Sequence, residues 1–314
     1  MSATDPPQFV VPKSSSVASV QVTSWSAFVA VVETHFLDWS EFIYRGQRDA
    51  KWSLRSKFDR EFVRATKALK SVDPNDGLDE QDRALVEQAD PKRILDSREV
   101  VLRRQLERFQ RSCVGRRGPA PRNLSDDEWW SLGQHFGLAT PLLDWTRSPY
   151  VACFFAMQDT EQSKTGNRAV WAFSHIAFRE ILINMPNNYE VEEGGLLTVE
   201  LLEPLIDENN RLLSQSGLFT RTPDGADIEG FIQRHADLRG MSPVLYRIDI
   251  PESQREAFLR HLEVMNVHAG SLFPDIAGAA EFCNRGLEKE SSGVLWKQKP
   301  DFIRRMLSNS SYHE

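Results

Sequence analysis

Residues Gly133 to Ala156 read GQHFGLATPLLDWTRSPYVACFFA. Leu142 and Leu143 can seat a short strand in a core, and Asp144, Trp145 and Thr146 follow where that strand leaves it. Ser148-Pro149 is a helix start, with serine as cap and proline at the first helical position, where its missing N–H costs nothing. The run Val151 to Ala156 is apolar throughout and carries Cys153 as a small core residue. Strand, turn and buried helix thus follow one another directly, which points to a chain of mixed α and β structure.

The neighbouring segments extend this reading in both directions. Ser125-Asp-Asp-Glu128 is a capping box, in which serine and glutamate satisfy each other's backbone N–H groups; it opens a helix with Trp129, Trp130 and Leu132 that ends near Gly137. Upstream, Phe42 to Gln47 reads as a strand, and Ser24 caps a segment whose Trp25, Phe28, Val31, Val32 and Phe36 recur at helical spacing. Helical patterns are expected from Lys57 to about Lys70 and from about Pro91 to Cys113, with a Pro- and Gly-containing acidic loop at Ser71 to Asp82 between them. Downstream, Ala169–Phe173 and Val244–Ile248 are strand candidates, Pro251 opens a helix to about Val264, and Ala277–Leu287 is another helix. No regular βαβ cadence emerges. The expected fold is α+β: a small, mainly antiparallel sheet flanked by helices, with a helical insertion at about 57–125. Residues 1–20, rich in Pro, Ser and Thr, are expected to form a loose arm, and 291–314 a C-terminal tail.

Composition narrows the function classes. The 314 residues carry a formal net charge of −7, which disfavours non-specific nucleic-acid binding while leaving room for a local basic pocket. Three widely spaced cysteines, Cys113, Cys153 and Cys283, do not form a disulfide framework, and without a CxxC pair or a Cys/His cluster no metal is expected. No signal core and no run of about 18 apolar residues is present, so a reduced, cytoplasmic protein with no membrane partner is expected. The sequence does not give the oligomeric state. Dinucleotide, Walker, HExxH and GxSxG fingerprints are absent.

Two distant segments carry the candidate chemistry. In Glu41–Arg55, EFIYRGQRDAKWSLR, an apolar strand ends on Arg45 and Gly46. An arginine there is a fixed planar cation suited to phosphate or carboxylate, and glycine admits a close backbone or ligand. Trp52 and Arg55 can line the same groove. Pairing of Arg45 with a structural carboxylate and a bulge at Gly46 explain the same residues without a ligand. In the second segment Gln134, His135, Asp144, Trp145, Thr146 and Arg147 alternate with apolar residues before the Ser148 helix start, whose free N–H groups favour an anion. Asp144 and Thr146 could instead satisfy only the turn, and His135 a structural hydrogen bond. Gln215, in NRLLSQSGLFT, can offer an amide to a ligand or to a neighbouring backbone group; Leu272–Gly278 reads mainly as architecture around a helix start at Pro274-Asp275.

Taken in order, these segments resemble the FRG domain, a family named for an aromatic-Arg-Gly motif. Here the motif is Tyr44-Arg45-Gly46, extended by Gln47 and followed by Trp52-Ser-Leu54. QHFGLATPLLDWTRSPYVACFFA is similar to the second hallmark of the family, Gln215-Ser-Gly-Leu-Phe219 to a third and Leu272 to Gly278 to a fourth. The resemblance runs over about 40–285 and implies an FRG-type α+β domain at 21–290. Pro141 stands where the family often has arginine, so any anion contact from that position is missing here.

A weaker, fold-level resemblance is to ADP-ribosyltransferases, which place an arginine on an early strand, then a hydroxyl-bearing segment before a helix, then a glutamate or substitute. It implies NAD as cofactor and Arg45, Thr146, Asp144 and Gln215 as the catalytic set: Arg45 on the phosphate or ribose, Thr146 or Ser148 on the nicotinamide end, Gln215 orienting a hydroxyl, Asp144 the nearest carboxylate. Tyr44, Gly46, Gln47, Trp52, Arg55, Gln134, His135, Trp145, Arg147 and Ser148 would bind the ligand, with Trp145 or Trp52 stacking on a ring. The alternative is a non-catalytic module that senses a nucleotide-type small molecule or a protein target, in a bacterial defence or toxin-like setting.

Overall fold

Strand β2 (Phe42–Gln47) alternates its side chains between two cores, and the rest of the molecule is arranged around it. In this computed structural model the described residues are 7–11, 17–37, 41–71, 97–118, 121–184, 198–204, 210–223, 225–235 and 243–291. The elements before the sheet centre are β1 (Val17–Gln21), α1 (Trp25–His35), β2, α2 (Lys57–Ser71), α3 (Arg98–Ser112), α4 (Asp126–His135), β3 (Leu143–Thr146) and α5 (Pro149–Met157). Then come β4 (Asn167–Ser174), α6 (His175–Asn184), β5 (Glu200–Leu202), α7 (Asn210–Ser214), β6 (Gly217–Arg221), α8 (Ile228–His235) and β7 (Leu245–Pro251). A 3-10 turn at Glu252–Gln254 leads into α9 (Arg255–Val264), followed by α10 (Ala269–Leu272) and α11 (Ile276–Ser291).

The seven strands run in the order β1-β7-β4-β2-β3-β6-β5, antiparallel except for the β1–β7 pair. The α+β expectation therefore holds, with a sheet larger than the small one expected. Phe42 and Tyr44 face α1, α5 and α9 in one core; Ile43, Leu143, Trp145, Trp171 and Phe173 face α6 and α8 in the other. Each fully buried Phe or Leu contributes roughly 1.5–3 kcal/mol, more than an exposed ion pair does. The two-sided burial of β2 and β4 thus outweighs the many surface salt bridges. A smaller cluster of Leu106, Trp130, Leu142 and Phe219 fastens α3 and α4 to the sheet.

The chain follows its local signals closely. Ser24 accepts from Ala27 N at 3.2 Å, the Ser125–Glu128 capping box is complete, and Ser148 caps α5 with Pro149 in its first turn. The arm expected at 1–20 needs correction. Val17–Gln21 is an edge strand paired with β7, Val10 bridges to Ser19, and Phe9 stands 5.2 Å from Tyr246. The polar, Ser-rich composition around this strand hides it. β5, α6 and α8 have no counterpart among the expected elements either. The expected loop at Ser71–Asp82, apart from Ser71, lies outside the described residues, as do the first turns of the helix expected from Pro91 and, apart from Ser291, the 291–314 tail. No helix among the described residues is long and apolar enough to cross a membrane, and no group of three or more metal-ligating side chains is found among them.

The end of α5 is held by two arginines. Arg168, fully buried on β4, donates through Nε and Nη2 to the two Glu252 oxygens at 2.7 Å each, and through Nη1 to Ala156 O at 2.8 Å. Arg255 donates to the carbonyls of Met157, Gln158 and Asp159 at 2.8, 3.0 and 3.0 Å. Burial pushes the Glu252 carboxyl up, but the hydrogen bonds from Arg168 and Ser163 N outweigh it and hold it below its ordinary value. A depressed carboxyl contributes stability that is complete above its unfolded value, about 4.3, and is lost as pH falls through the lower folded value. The stability gap between wild type and Glu252→Gln is therefore expected to shrink as pH is lowered below about 4. Urea titrations at stepped pH check this, and a gap that stays constant would contradict it.

Candidate functional site

β2 and β3 are paired at one position only, Tyr44 opposite Thr146, although both lie near the sheet centre. Arg45 bridges the strands beyond that position, its Nη1 donating to the Asp144 carbonyl at 2.7 Å and standing 3.6 Å from the Asp144 carboxylate. A cleft of about 350 Å³ opens here, within the usual size of ligand sites. It brings together Tyr44, Arg45, Gly46, Gln134, His135, Asp144, Trp145, Thr146 and Gln215 from the candidate segments. Phe155, Gln158, Arg211, Leu212 and Phe273 complete much of its wall.

Arg45 is the central cation. Burial lowers its pKa, the Asp144 charge raises it again and Arg60 presses it down, yet a guanidinium stays protonated throughout. Its Nε is buried with no hydrogen-bond partner among the described residues. An unmet buried donor costs about 1–3 kcal/mol, more for a charged group, so an acceptor brought to it is favoured. Asp144, by contrast, is open to solvent: its side chain keeps 62% of its exposure while Gln134 Nε2 donates to Oδ1 at 2.5 Å. Gln134 in turn accepts from the Thr140 hydroxyl, which fixes which way its amide points. His135 sits edge-on to Phe136 at 4.7 Å on the rim formed by the end of α4.

Several expected ligand contacts are instead used by the fold. The Trp145 indole is 3% exposed, packs against Phe173 and donates to Thr220 Oγ1 at 2.7 Å, so it is no stacking platform. The Thr146 hydroxyl donates to Gln215 O at 2.6 Å and accepts from Ser148 N at 3.1 Å. Gln215 Nε2 donates to Leu272 O at 3.1 Å, tying α7 to α10. The Ser148 hydroxyl caps α5, and Arg147 pairs with Glu203. Gln47 is buried away from the cleft, accepting from Trp171 Nε1 at 2.9 Å. Trp52 carries the Arg48 guanidinium 4.9 Å above its ring, and Arg55 faces Asp227 at 3.4 Å; neither lines the cleft. For Thr146 and Gln215 the sequence left a structural bond open beside a ligand contact, and the structure shows that bond; Trp145, Thr146 and Gln215 still line the cleft.

Gly46 answers to packing. A Cβ there would lie 1.9 Å from Ala152 O and 2.5 Å from Ala156 N, so β2 carries α5 in direct backbone contact. Thr146→Val, which keeps shape and deletes the hydroxyl, is expected to lower stability by about 1–3 kcal/mol by leaving Gln215 O and Ser148 N unmet. Thermal denaturation against Thr146→Ser, which keeps the hydroxyl, checks it.

The residues missed from sequence are Phe155, Gln158, Arg211, Leu212 and Phe273. Arg211 pairs with Asp275 at 2.5 Å and lies 5.1 Å over the Phe273 ring, which meets Phe155 edge-on at 6.1 Å. Arg211 and Phe273 fall inside segments singled out for Gln215 and for the Pro274 helix start, and Gln158 follows the apolar run of α5 directly. Their nearness to those motifs is the signal the sequence offers.

Residues 40–165 match the family model of the FRG domain, a span that holds the Tyr44-Arg45-Gly46 and Gln134–Ala156 motifs. The Gln215 and Leu272 segments, which close the cleft, lie beyond it. No curated protein and no solved structure matches the chain.

Proposed function

We propose that this chain, whose residues 40–165 match the FRG domain, binds a nucleotide-type ligand in the β2–β3 cleft, that NAD is that ligand, and that its N-glycosidic bond is the one cleaved. The observation that carries the reading is Arg45: a permanent cation in a cleft wall with a buried, unmet donor, supported by Arg211 on the same wall. Two guanidiniums suit a diphosphate. Phe155 and Phe273 supply apolar ring faces beside them. Of the four residues expected to act in catalysis, Asp144 is the one with a carboxylate. Held by Gln134, its carboxylate would stabilise positive charge developing on the ribosyl carbon as the C1′–N bond breaks and nicotinamide leaves with the electron pair. Water or an acceptor hydroxyl then adds to that carbon and releases its proton.

A second reading, binding without turnover, is favoured by one observation: Thr146, Gln215 and Ser148 already spend their polar groups on internal bonds. One experiment separates the two. NAD is added to wild type, Arg45→Ala and Asp144→Asn, with nicotinamide release and melting temperature both recorded. Release that disappears in Asp144→Asn supports the enzyme. A stabilisation of about 2.7 kcal/mol at a hundredfold excess over Kd, without release, supports the sensor. In either case Arg45→Ala is expected to weaken binding roughly 10- to 100-fold, the loss of a charged hydrogen bond. Absence of both signals in wild type ends the nucleotide reading.

A further inference from the structure

Gln158 lines two cavities. Besides the β2–β3 cleft it borders a second space of about 320 Å³, enclosed by Phe154, Leu259 and Val267 beneath and by Glu281, Phe282 and Asn284 of α11. Gln158 caps α5, and its backbone is pinned there: its N–H donates to Phe154 O at 2.8 Å and its carbonyl accepts from Arg255. Its side-chain Oε1 is buried without a hydrogen-bond partner among the described residues. The boundary between the two cavities thus presents an unmet acceptor, and a buried polar atom without a partner points to a missing donor.

The second space differs from the first in a way that matches a nucleoside. Its rim carries an aromatic platform, Phe282 lying 4.5 Å from the His268 ring at 33°. Glu281 stands beside that platform, its carboxyl pushed up by burial, against a smaller downward pull from Arg211 of the first cleft. A flat ring stacks on the aromatic pair, and the Glu281 carboxylate accepts from a ribose diol. Arg45 and Arg211 sit on the other side of Gln158, where phosphates belong, while Arg285 of the second space is paired with Glu256.

We infer that the ligand site continues past Gln158 into this second cavity, so that the ligand is a two-ended molecule of dinucleotide type with a ribose hydroxyl donating to Gln158 Oε1. This rests on the nucleotide reading of the first cleft and extends it. The phosphates lie at Arg45 and Arg211, one ring end occupies the β2–β3 cleft and the other nucleoside end lies against Phe282.

Calorimetric titration of the full chain with NAD, AMP and nicotinamide mononucleotide tests the inference. Wild type is expected to bind NAD at least tenfold more tightly than either half. Phe282→Ala, at a half-exposed position, is expected to weaken NAD roughly tenfold, the loss of one stacking contact, and to leave one of the two mononucleotides unchanged. Gln158→Leu is expected to weaken NAD as well. Glu281→Gln, which removes the charge and keeps the size, serves as the second variant should Phe282→Ala fold poorly, and the same selective loss is expected. If Arg45→Ala weakens NAD while Phe282→Ala, Gln158→Leu and Glu281→Gln leave it unchanged, the second cavity is not a subsite and the nucleotide reading survives alone. If wild type binds none of the three nucleotides, both fall together.

Discussion

Arg168→Met is expected to lower the stability of the fold by about 3 kcal/mol, because it removes a fully buried arginine from an ion pair whose glutamate is partly exposed. The Arg168 side chain has no exposure, and four of its bonds have defined partners: two to the carboxylate oxygens of Glu252, one to Ala156 O and one to Glu161 O, all at 2.7–2.8 Å. Methionine fills similar space but donates nothing, so a carboxylate and two carbonyls lose their partner together. The double variant Arg168→Met/Glu252→Met removes the stranded charge and is expected to recover part of the loss, since the apolar replacement of a whole buried pair is often near neutral. Urea denaturation of the single and double variants reads both effects. A loss under about 1 kcal/mol for the single variant would show that water or a neighbour takes over the arginine's bonds. The same change is expected to loosen the end of α5, and with it Gln158 between the two cavities.

Gly46→Ala is the second large effect. The added methyl would stand 1.9 Å from a helix carbonyl oxygen and 2.5 Å from a helix nitrogen. Neither atom belongs to a flexible side chain, so either α5 or β2 must move. β2 is held in register along β4 over six residue pairs, and α5 is pinned at its start by Ser148 and at its end by Arg168 and Arg255. Overpacking of this kind costs up to about 3 kcal/mol or more, and a melting temperature lower by roughly 6 °C or more is expected. Gly286 is the matched control. It lies in α11 with nothing within 4 Å of the place a methyl would take, so Gly286→Ala is expected to leave stability unchanged or raise it by up to about 1 kcal/mol through helix propensity. Equal losses at both glycines would mean that close approach is not what Gly46 is for.

The glycine beside the arginine shows where reading the sequence stops. Tyr44-Arg45-Gly46 is visible as an interrupted strand, and Gly46 suggests a bulge or the close approach of another backbone or of a ligand. The structure selects the close backbone and supplies what the sequence could not, its source: residues 152–156, a helix laid directly on the strand. Trp145 is a similar case: an indole among polar residues suggests a ring for stacking on a ligand. Its N–H instead meets Thr220 on the next strand, and the ring sinks into the core.

What the sequence determined by itself was local. Caps at Ser24, Ser125 and Ser148, the strand at Phe42–Gln47 and the helix from Pro149 follow from backbone needs that near neighbours meet. The likeness of the two main motifs to the FRG domain was legible for the same reason, being carried by contiguous residues. Which polar groups are left over for a ligand was decided only when the sheet brought distant strands together. A hydroxyl or indole has few bonding positions, and whether β6, α7 or α10 occupies them depends on register across the sheet rather than on spacing along the chain. Arg45, Asp144 and Gln158 stand out because that assembly left each of them partly unmet or open, and Arg211 and Phe273 joined them from elements whose position no local pattern encodes.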